Sequence, residues 1–102
     1  MKLLTAALIR RFDAVGSQEL VDDPIVIAKL FDPAGRATWY LTEWIPNDGV
    51  FFGYCISPLG ADCDEWTYVS LDELRSIRGP FGLGIERDIY WTERPLSAAR
   101  GH

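Results

Sequence analysis

The sequence predicts a single α+β domain, in which an N-terminal helix precedes an antiparallel four- to five-stranded meander sheet and a short second helix follows strand four. Three observations favour this fold class. Apolar residues near the N-terminus recur at helical spacing, the middle of the chain alternates short apolar runs with turns, and a helix-capping sequence follows the last run. A chain of 102 residues that is 48% hydrophobic can bury one core. We therefore expect one domain over residues 1–96 and a disordered tail over residues 97–102.

The first helix is predicted to begin after Thr5, whose hydroxyl suits an N-cap, and to end at Gly16, which can adopt the left-handed conformation. One side of this helix would carry apolar residues at spacings of three and four, namely Leu8, Ile9, Phe12 and Val15. The run 25–31 follows the loop 17–24. Because it is short and rich in β-branched residues, we expect it to form the first strand.

Three further strands are expected at 38–44, 50–56 and 65–69, each preceded by a turn rich in Pro, Gly, Asn or Asp. Such short connections leave no room for a parallel crossover, so the four strands should form an antiparallel meander. Both faces of the strand at 38–44 carry bulky residues. We therefore expect that strand to lie inside the sheet and not at its edge.

The second helix is predicted from Ser70-Leu71-Asp72-Glu73, which has the spacing of a capping box. It should run to about Arg78, with Leu71, Leu74 and Ile77 facing the core. The glycine-rich segment 79–84 would end it. The short aromatic run Ile89-Tyr90-Trp91 is then predicted to be an edge strand.

The net charge of −5 disfavours sequence-independent binding to nucleic acid, because that affinity comes from Lys and Arg. Cys55 and Cys63 are too few for a structural zinc site and are interpreted as free thiols, although a bridge between them stays open. The apolar N-terminal stretch is interrupted by Arg10 and Arg11, and no stretch approaches the ~18 apolar residues of a membrane span. We expect a cytoplasmic protein without membrane association.

The sequence lacks the residues that nucleophilic catalysis requires. Its sole histidine is His102 at the C-terminus, and neither lysine stands in a Ser-x-x-Lys motif. Asp62, Asp64 and Glu65 cluster in a turn, but without the calcium-loop pattern they indicate a solvated turn. We predict no catalytic residue, no cofactor and no metal.

Charged residues follow a glycine-rich loop at Gly84-Ile85-Glu86-Arg87-Asp88. In an extended chain, Glu86 and Asp88 would project to one side and Arg87 to the other. This geometry suits either a paired carboxylate site or a structural arginine salt bridge, and we favour the structural role. The glycine order differs from the dinucleotide fingerprint and from the phosphate-binding loop.

Aromatic residues alternate along the predicted strands: Trp39, Tyr40, Trp44, Tyr54, Trp66, Tyr68, Tyr90 and Trp91. The same alternation would serve a stacking platform for single-stranded nucleic acid or peptide, or a hydrophobic core. We favour the core, with at least one tryptophan exposed.

Several segments resemble, in order and spacing, a bacterial family of small proteins catalogued as a domain of unknown function. They are Lys29-Leu30-Phe31, Thr38-Trp39-Tyr40-Leu41-Thr42-Glu43, Phe52-Gly53, Ser70-Leu71-Asp72-Glu73-Leu74 and Gly82-Leu83-Gly84-Ile85-Glu86-Arg87-Asp88. The resemblance covers about residues 3–96. It implies a bacterial cytoplasm and a mobile genetic element such as a plasmid or integrative element. Because no activity is assigned to that family, the resemblance implies no catalytic residue.

The leading functional hypothesis is a non-catalytic module that binds a protein partner, or an accessory to DNA transfer or defence evasion. Its candidate binding surface comprises Gly84, Glu86, Arg87, Asp88, Arg78 and Trp39. One alternative is a single-stranded nucleic-acid binder that stacks bases on aromatic rings, with Arg75, Arg78 and Arg87 as a basic rim. Another is a metal-dependent hydrolase that uses Glu86 and Asp88 with a partner such as Glu43.

Overall fold

The computed structural model describes residues 1–100, which form a five-stranded antiparallel sheet, a two-stranded ladder and three α-helices. The helices are α1 (Ala6–Val15), α2 (Leu71–Ser76) and α3 (Leu96–Ala99). The strands are β1 (Ile25–Val26), β2 (Ala28–Phe31), β3 (Thr38–Ile45), β4 (Val50–Ile56), β5 (Glu65–Ser70), β6 (Glu86–Arg87) and β7 (Arg94–Pro95). The α+β fold class is therefore confirmed.

The strands of the large sheet lie in the order β5-β4-β3-β2-β6, and β1 pairs with β7 beside it. Strands β2 to β5 form the predicted antiparallel meander, and β3 lies at its centre as its two bulky faces indicated. The register of β3 against β4 shifts between Leu41 and Glu43, which marks a β-bulge at Thr42.

Helix α1 begins and ends where the sequence predicts. The Thr5 hydroxyl accepts a hydrogen bond from the Leu8 amide at 3.2 Å, and Gly16 adopts a φ of 72°. Phe12 is the fully buried residue of this helix, and its ring centroid lies 6.0 Å from that of Phe51 on β4. The helix is thereby fixed to one face of the sheet.

We call the helix-covered face the inner face. It carries the larger core: Leu3, Leu4, Phe12, Ile27, Ala28, Leu30, Leu41, Phe51, Leu71, Leu74 and Ile85. The opposite, outer face carries a smaller cluster of Val26, Tyr40, Leu96 and Ala99. Because the outer cluster covers only one end of its face, the remaining outer surface of β4 and β5 stays open.

The predicted first strand at 25–31 is two strands in different ladders. Val26 is buried in the outer cluster, whereas Ile27 and Ala28 both belong to the inner core. Two consecutive residues on one face break the alternation of a regular strand, so the chain changes direction at this point.

The predicted edge strand Ile89–Trp91 is wrong, since the edge strand is β6 at Glu86–Arg87. The Asp88 carboxylate accepts a hydrogen bond from the Tyr90 amide at 3.0 Å, which forms a turn. Trp91 instead covers the outer cluster, where its ring N–H donates to the Val26 carbonyl at 2.9 Å.

Residues 97–99, which the sequence assigns to the tail, lie in α3. Pro95 pairs with Ile25 in the β1–β7 ladder, and α3 follows directly. The physical reason is burial, since Leu96 and Ala99 both enter the outer cluster. His102 lies outside the described residues.

Helix α2 begins as predicted, because the Ser70 hydroxyl accepts a hydrogen bond from the Glu73 amide at 3.2 Å. It ends at Ser76 and not at Arg78, so Leu71 and Leu74 are buried whereas Ile77 is exposed.

None of the helices in residues 1–100 has both the length and the apolar character that a membrane-spanning helix needs.

Candidate functional site

An open groove of about 490 Å³ lies on the outer face between the loop 17–24 and strands β3 to β5. We call it the outer groove. Its lining is Gln18, Glu19, Val21, Asp22, Pro24, Thr42, Glu43, Phe52, Trp66 and Tyr68. The loop forms one wall, and aromatic side chains of β4 and β5 form the other.

The aromatic wall is a packed cluster. Phe52 on β4 stacks on Trp66 with ring centroids 5.5 Å apart, and its centroid lies 4.8 Å from that of Tyr68. Trp66 and Tyr68 are nevertheless 39% and 66% exposed, because β5 has no further strand beyond it in the described chain. Exposed aromatic patches next to polar residues are typical of interaction sites.

Carboxylates dominate the charge of the outer groove. Glu19 and Asp22 come from the loop and Glu43 comes from β3, while the described lining contains no Lys or Arg. Acidic groups beside aromatic faces create a negative potential that suits a cation, by Coulomb attraction and by cation–π contact. The outer groove is therefore complementary to a positively charged side chain.

Gln18 fixes the loop wall to the sheet. Its side-chain amide nitrogen donates to the carbonyls of Ile25 at 2.9 Å and Thr42 at 3.0 Å, and its oxygen accepts from the Ile25 amide at 2.8 Å. The bulge at Thr42 makes that carbonyl available away from β4. Only 6% of Gln18 is exposed, so these bonds are protected from water and hold the loop rigidly.

The predicted candidate residues lie mostly at the other edge of the sheet. Glu86 and Arg87 pair with Phe31 and Leu30 of β2, and the Asp88 amide donates to the Lys29 carbonyl at 3.0 Å. These contacts place Gly84–Asp88 and Arg78 together, because Arg78 and Gly84 form an isolated bridge.

Arg78 and Arg87 form hydrogen bonds within the chain, three of them to backbone carbonyls. Arg87 donates from its amide to the Met1 sulfur at 3.1 Å and from Nε to the Lys2 carbonyl at 3.1 Å. One Arg78 guanidinium nitrogen donates to the carbonyls of Arg75 at 2.6 Å and Ile77 at 2.7 Å. Arg87 therefore holds the N-terminus, and Arg78 satisfies carbonyls at the end of α2.

Trp39 is separate from both regions. It lies across the sheet in one row with Leu30 and Arg87 on the inner face, where it packs, partly buried, against the inner core. Trp39 therefore does not line the outer groove, and its ring is only partly accessible to solvent.

The three carboxylates of the hydrolase hypothesis do not converge. Glu86 aligns with Phe31 and through it with Thr38, whereas Glu43 lies further along β3, about 15 Å away by strand rise. Among the described residues, no three His, Cys, Asp or Glu side chains are placed to hold a metal ion.

Both cysteines are free thiols. Burial raises the pKa of Cys55, and the nearby charges of Asp64 and Glu65 raise it further. Asp64 itself accepts a hydrogen bond from the Ser57 amide at 2.7 Å, which closes the loop before β5. Cys55 is therefore a poor nucleophile at neutral pH, and Asp64 has a structural role.

The sequence carries a signal for the aromatic wall of the outer groove but none for the loop that forms the opposite wall. Trp66 and Tyr68 alternate with the polar residues Glu65 and Thr67, a pattern that indicates an edge strand with one apolar face. No signal in the sequence marks Gln18, because its two partner residues, Ile25 and Thr42, lie in other segments of the chain.

A family model described as Protein of unknown function (DUF2958) matches residues 2–99 of the chain. No curated protein and no solved structure shows a significant match.

Proposed function

This chain belongs to the DUF2958 family, and we propose that it is a protein-binding module whose outer groove binds a positively charged segment of a partner protein. The observation that carries the proposal is the exposed pair of rings, Trp66 and Tyr68, beside the groove carboxylates. The ligand must therefore present apolar surface to the rings and positive charge to the carboxylates. An extended segment that contains Arg or Lys presents both.

The aromatic rings favour binding on energetic grounds. A fully buried Trp or Tyr side chain removes roughly 150–250 Å² from water at about 25 cal/mol per Å² of apolar area, and the part still available to a ligand is the exposed fraction, 39% for Trp66 and 66% for Tyr68. Because Trp66 and Tyr68 stand on a paired strand and pack against Phe52, little side-chain freedom remains to be lost. Preorganised aromatic residues of this kind commonly dominate binding energy.

Arginine already packs on aromatic rings of the same face. The Arg100 guanidinium lies 4.8 Å from the ring centroid of Tyr54, whose ring contacts Trp66 edge-on at 5.5 Å. Arg94 similarly lies 4.4 Å from Trp91. A partner arginine over Trp66 or Tyr68 would extend this series, with a contribution of about 0.5–2 kcal/mol.

The charges favour a protein over a nucleic acid. Glu19, Asp22 and Glu43 would repel the phosphates of a strand stacked on the groove aromatics. The basic rim of the nucleic-acid alternative does not adjoin those rings, because Arg75 and Arg78 lie with α2 and Arg87 lies on the inner face.

For the segment Gly84–Asp88 we infer a mainly architectural role. Its hydrogen bonds to β2 and to the N-terminal residues leave the fold dependent on it. The hydrolase alternative receives no support from its carboxylates, since Glu43 is far from Glu86 and Asp88.

The setting that we propose is a bacterial mobile genetic element, with the module as an accessory to DNA transfer or defence evasion. The sequence resemblance supports this part of the proposal. Proteins that act on DNA present many Lys and Arg residues, so a basic segment of such a protein would suit the outer groove.

The experiment is selection of binding peptides from a random library displayed on phage, with the purified chain as bait. We expect enrichment of peptides that carry Arg or Lys and a net positive charge. Affinity is then measured by fluorescence anisotropy of a labelled selected peptide. The double substitution Trp66→Ala with Tyr68→Ala should weaken binding at least about tenfold, which corresponds to about 1.4 kcal/mol.

Tyr90→Ala is the matched control, because Tyr90 is also an exposed aromatic residue but lies outside the outer groove. It should leave the affinity unchanged. Selection of neutral or acidic peptides, or equal effects of the two sets of substitutions, would contradict the proposal. Salt-sensitive binding of a labelled single-stranded oligonucleotide that requires Trp66 would favour the nucleic-acid alternative instead.

A further inference from the structure

Strand β5 is a long and open edge of the large sheet. It has six residues, and within the described part of the chain it pairs with β4 alone. Edge strands are commonly protected by Lys, Pro or a bulge, but β5 reads Glu-Trp-Thr-Tyr-Val-Ser and its pairing with β4 is regular. Its only charged residue, Glu65, lies at its first position.

The register shows which backbone groups this edge presents. The Leu71 amide donates to the Gly49 carbonyl at 3.1 Å, just beyond the pair Val50–Ser70. Because hydrogen-bonded and non-hydrogen-bonded pairs alternate in an antiparallel ladder, Val69 and Thr67 then exchange backbone hydrogen bonds with β4. The N–H and C=O groups of Trp66 and Tyr68 consequently point away from β4.

A side-chain contact agrees with this assignment. The Thr67 hydroxyl donates to the Tyr68 carbonyl oxygen at 3.2 Å, so that oxygen is accessible from outside the ladder. Trp66 and Tyr68 therefore present two things together, namely exposed rings on the outer face and backbone groups along the open edge.

We propose that the partner segment binds as an additional strand along β5, with its backbone paired to the outward groups of Trp66 and Tyr68. This inference rests on the proposed function of the outer groove and specifies how the ligand is held. An added strand would lie about 4.8 Å from β5, and every second side chain would face the rings. Backbone pairing would supply affinity, and the alternate Arg or Lys side chains would supply specificity.

Charge favours a basic segment over a second copy of this chain. The chain carries a net charge of −5, so pairing of two β5 strands would join two acidic chains, each with the carboxylates of its outer groove on the same face of the combined sheet. Like charges so juxtaposed oppose association, whereas a basic strand is attracted by the same groups.

The first test is amide hydrogen exchange, measured residue by residue by NMR. In the free protein, the amides of Thr67 and Val69 should exchange slowly and those of Trp66 and Tyr68 quickly. On saturation with a peptide selected for binding to the outer groove, the amide exchange rates of Trp66 and Tyr68 should fall at least about tenfold. The amides of Thr67 and Val69 should stay protected.

The second test is a scan of the same peptide with single backbone N-methyl groups. An added strand points alternate amides toward β5, so binding should fall at every second position and persist at the positions between. Strand addition would be overturned if the loss of binding in the N-methyl scan did not alternate along the peptide and the amides of Trp66 and Tyr68 gained no protection from exchange. If the double substitution Trp66→Ala with Tyr68→Ala still weakens that peptide, the proposed function survives.

Two other outcomes also decide the question. If the double substitution leaves peptide affinity unchanged, the proposed function fails and strand addition fails with it. If the Trp66 and Tyr68 amides are already protected without peptide, and sedimentation shows a dimer, then a second copy occupies the edge and the inferred partner is wrong.

Discussion

Substitution of Gln18 by Glu tests how the outer groove is held. In the native protein, the Gln18 nitrogen donates to the carbonyls of Ile25 and Thr42, at 2.9 and 3.0 Å. Gln18→Glu keeps the shape of the side chain but places a carboxylate oxygen against both carbonyl oxygens. The side-chain oxygen that accepts from the Ile25 amide can keep its bond.

The expected loss of stability follows from these contacts. Two hydrogen bonds are worth about 1 kcal/mol each, and two carbonyls left without donors in a site that is 6% exposed add a similar amount. We therefore expect Gln18→Glu to lower the free energy of unfolding by about 4 kcal/mol near neutral pH. Because the loop wall loosens, peptide affinity should fall as well.

The loss should depend on pH in a defined direction. Burial against two carbonyl oxygens raises the pKa of the introduced carboxyl above its ordinary value of about 4.3. A group whose pKa is raised on folding contributes its full stability below the unfolded pKa and loses it as the pH rises through the folded pKa. The difference between Gln18→Glu and wild type should therefore shrink by about 1–2 kcal/mol toward pH ~4, where the protonated acid can donate one hydrogen bond.

The assay is urea unfolding of wild type and variants, followed by tryptophan fluorescence at both pH values. Gln18→Met is the matched control, since it removes all three hydrogen bonds without adding an ionisable group. Its deficit relative to wild type should not change with pH. A Gln18→Glu protein within about 1 kcal/mol of wild type near neutral pH, or one whose deficit grows on acidification, would refute this account.

Three further substitutions test the packing, a strained turn and the C-terminal helix. In Gly53→Ala the added methyl group would overlap a backbone oxygen of β3, so the free energy of unfolding measured in urea should fall by about 2–4 kcal/mol. In Gly79→Ala the atom nearest to the added methyl group is 3.6 Å away, so the loss should be less than about 1 kcal/mol. Equal losses in the two variants would contradict this reasoning. Phe81 has a φ of 63° and is 98% exposed, so Phe81→Asn should stabilise the protein by about 0.5–1 kcal/mol, and a clear thermal destabilisation would argue against the strain. Hydrogen bonds from the Ser97 side chain and backbone lower the pKa of Asp23, so stability from this contact is lost as the pH falls through that pKa. Ser97→Ala should raise the Asp23 pKa toward its ordinary value in an NMR titration, and an unchanged pKa would show that the contact is not formed in solution.

Much of the fold could be predicted because its signals are local. The Thr5 cap, the Gly16 stop and the Ser70 cap each involve residues within four positions of one another. The meander was predictable for the same reason, since short turns pair strands that are neighbours in the chain. The central position of β3 followed from bulky residues on both of its faces.

Local pattern is a poor guide where contacts between distant segments bury a residue. The run Ile89–Trp91 has the composition of a strand, but Trp91 is placed by its hydrogen bond to Val26, which is distant in sequence. Residues 97–99 look like a weak tail, yet they are helical because Leu96 and Ala99 find a partly covered sheet face to bury against. The sequence of 89–91 does not identify Val26 as the partner of Trp91, and the sequence of 97–99 does not identify the sheet face that buries the helix.

The sequence by itself determined the periodicity of each element, and thereby the fold class, the meander and the alternation that puts Trp66 and Tyr68 on one face of β5. Only the tertiary structure decided that β5 lies at an open edge, that β6 forms the opposite edge, and that Gln18 holds a loop that carries carboxylates opposite the exposed rings. The physical reason is the range of the interactions. Dihedral preferences and turn chemistry act over a few residues, whereas exposure, charge grouping and edge position depend on contacts between segments far apart in the chain.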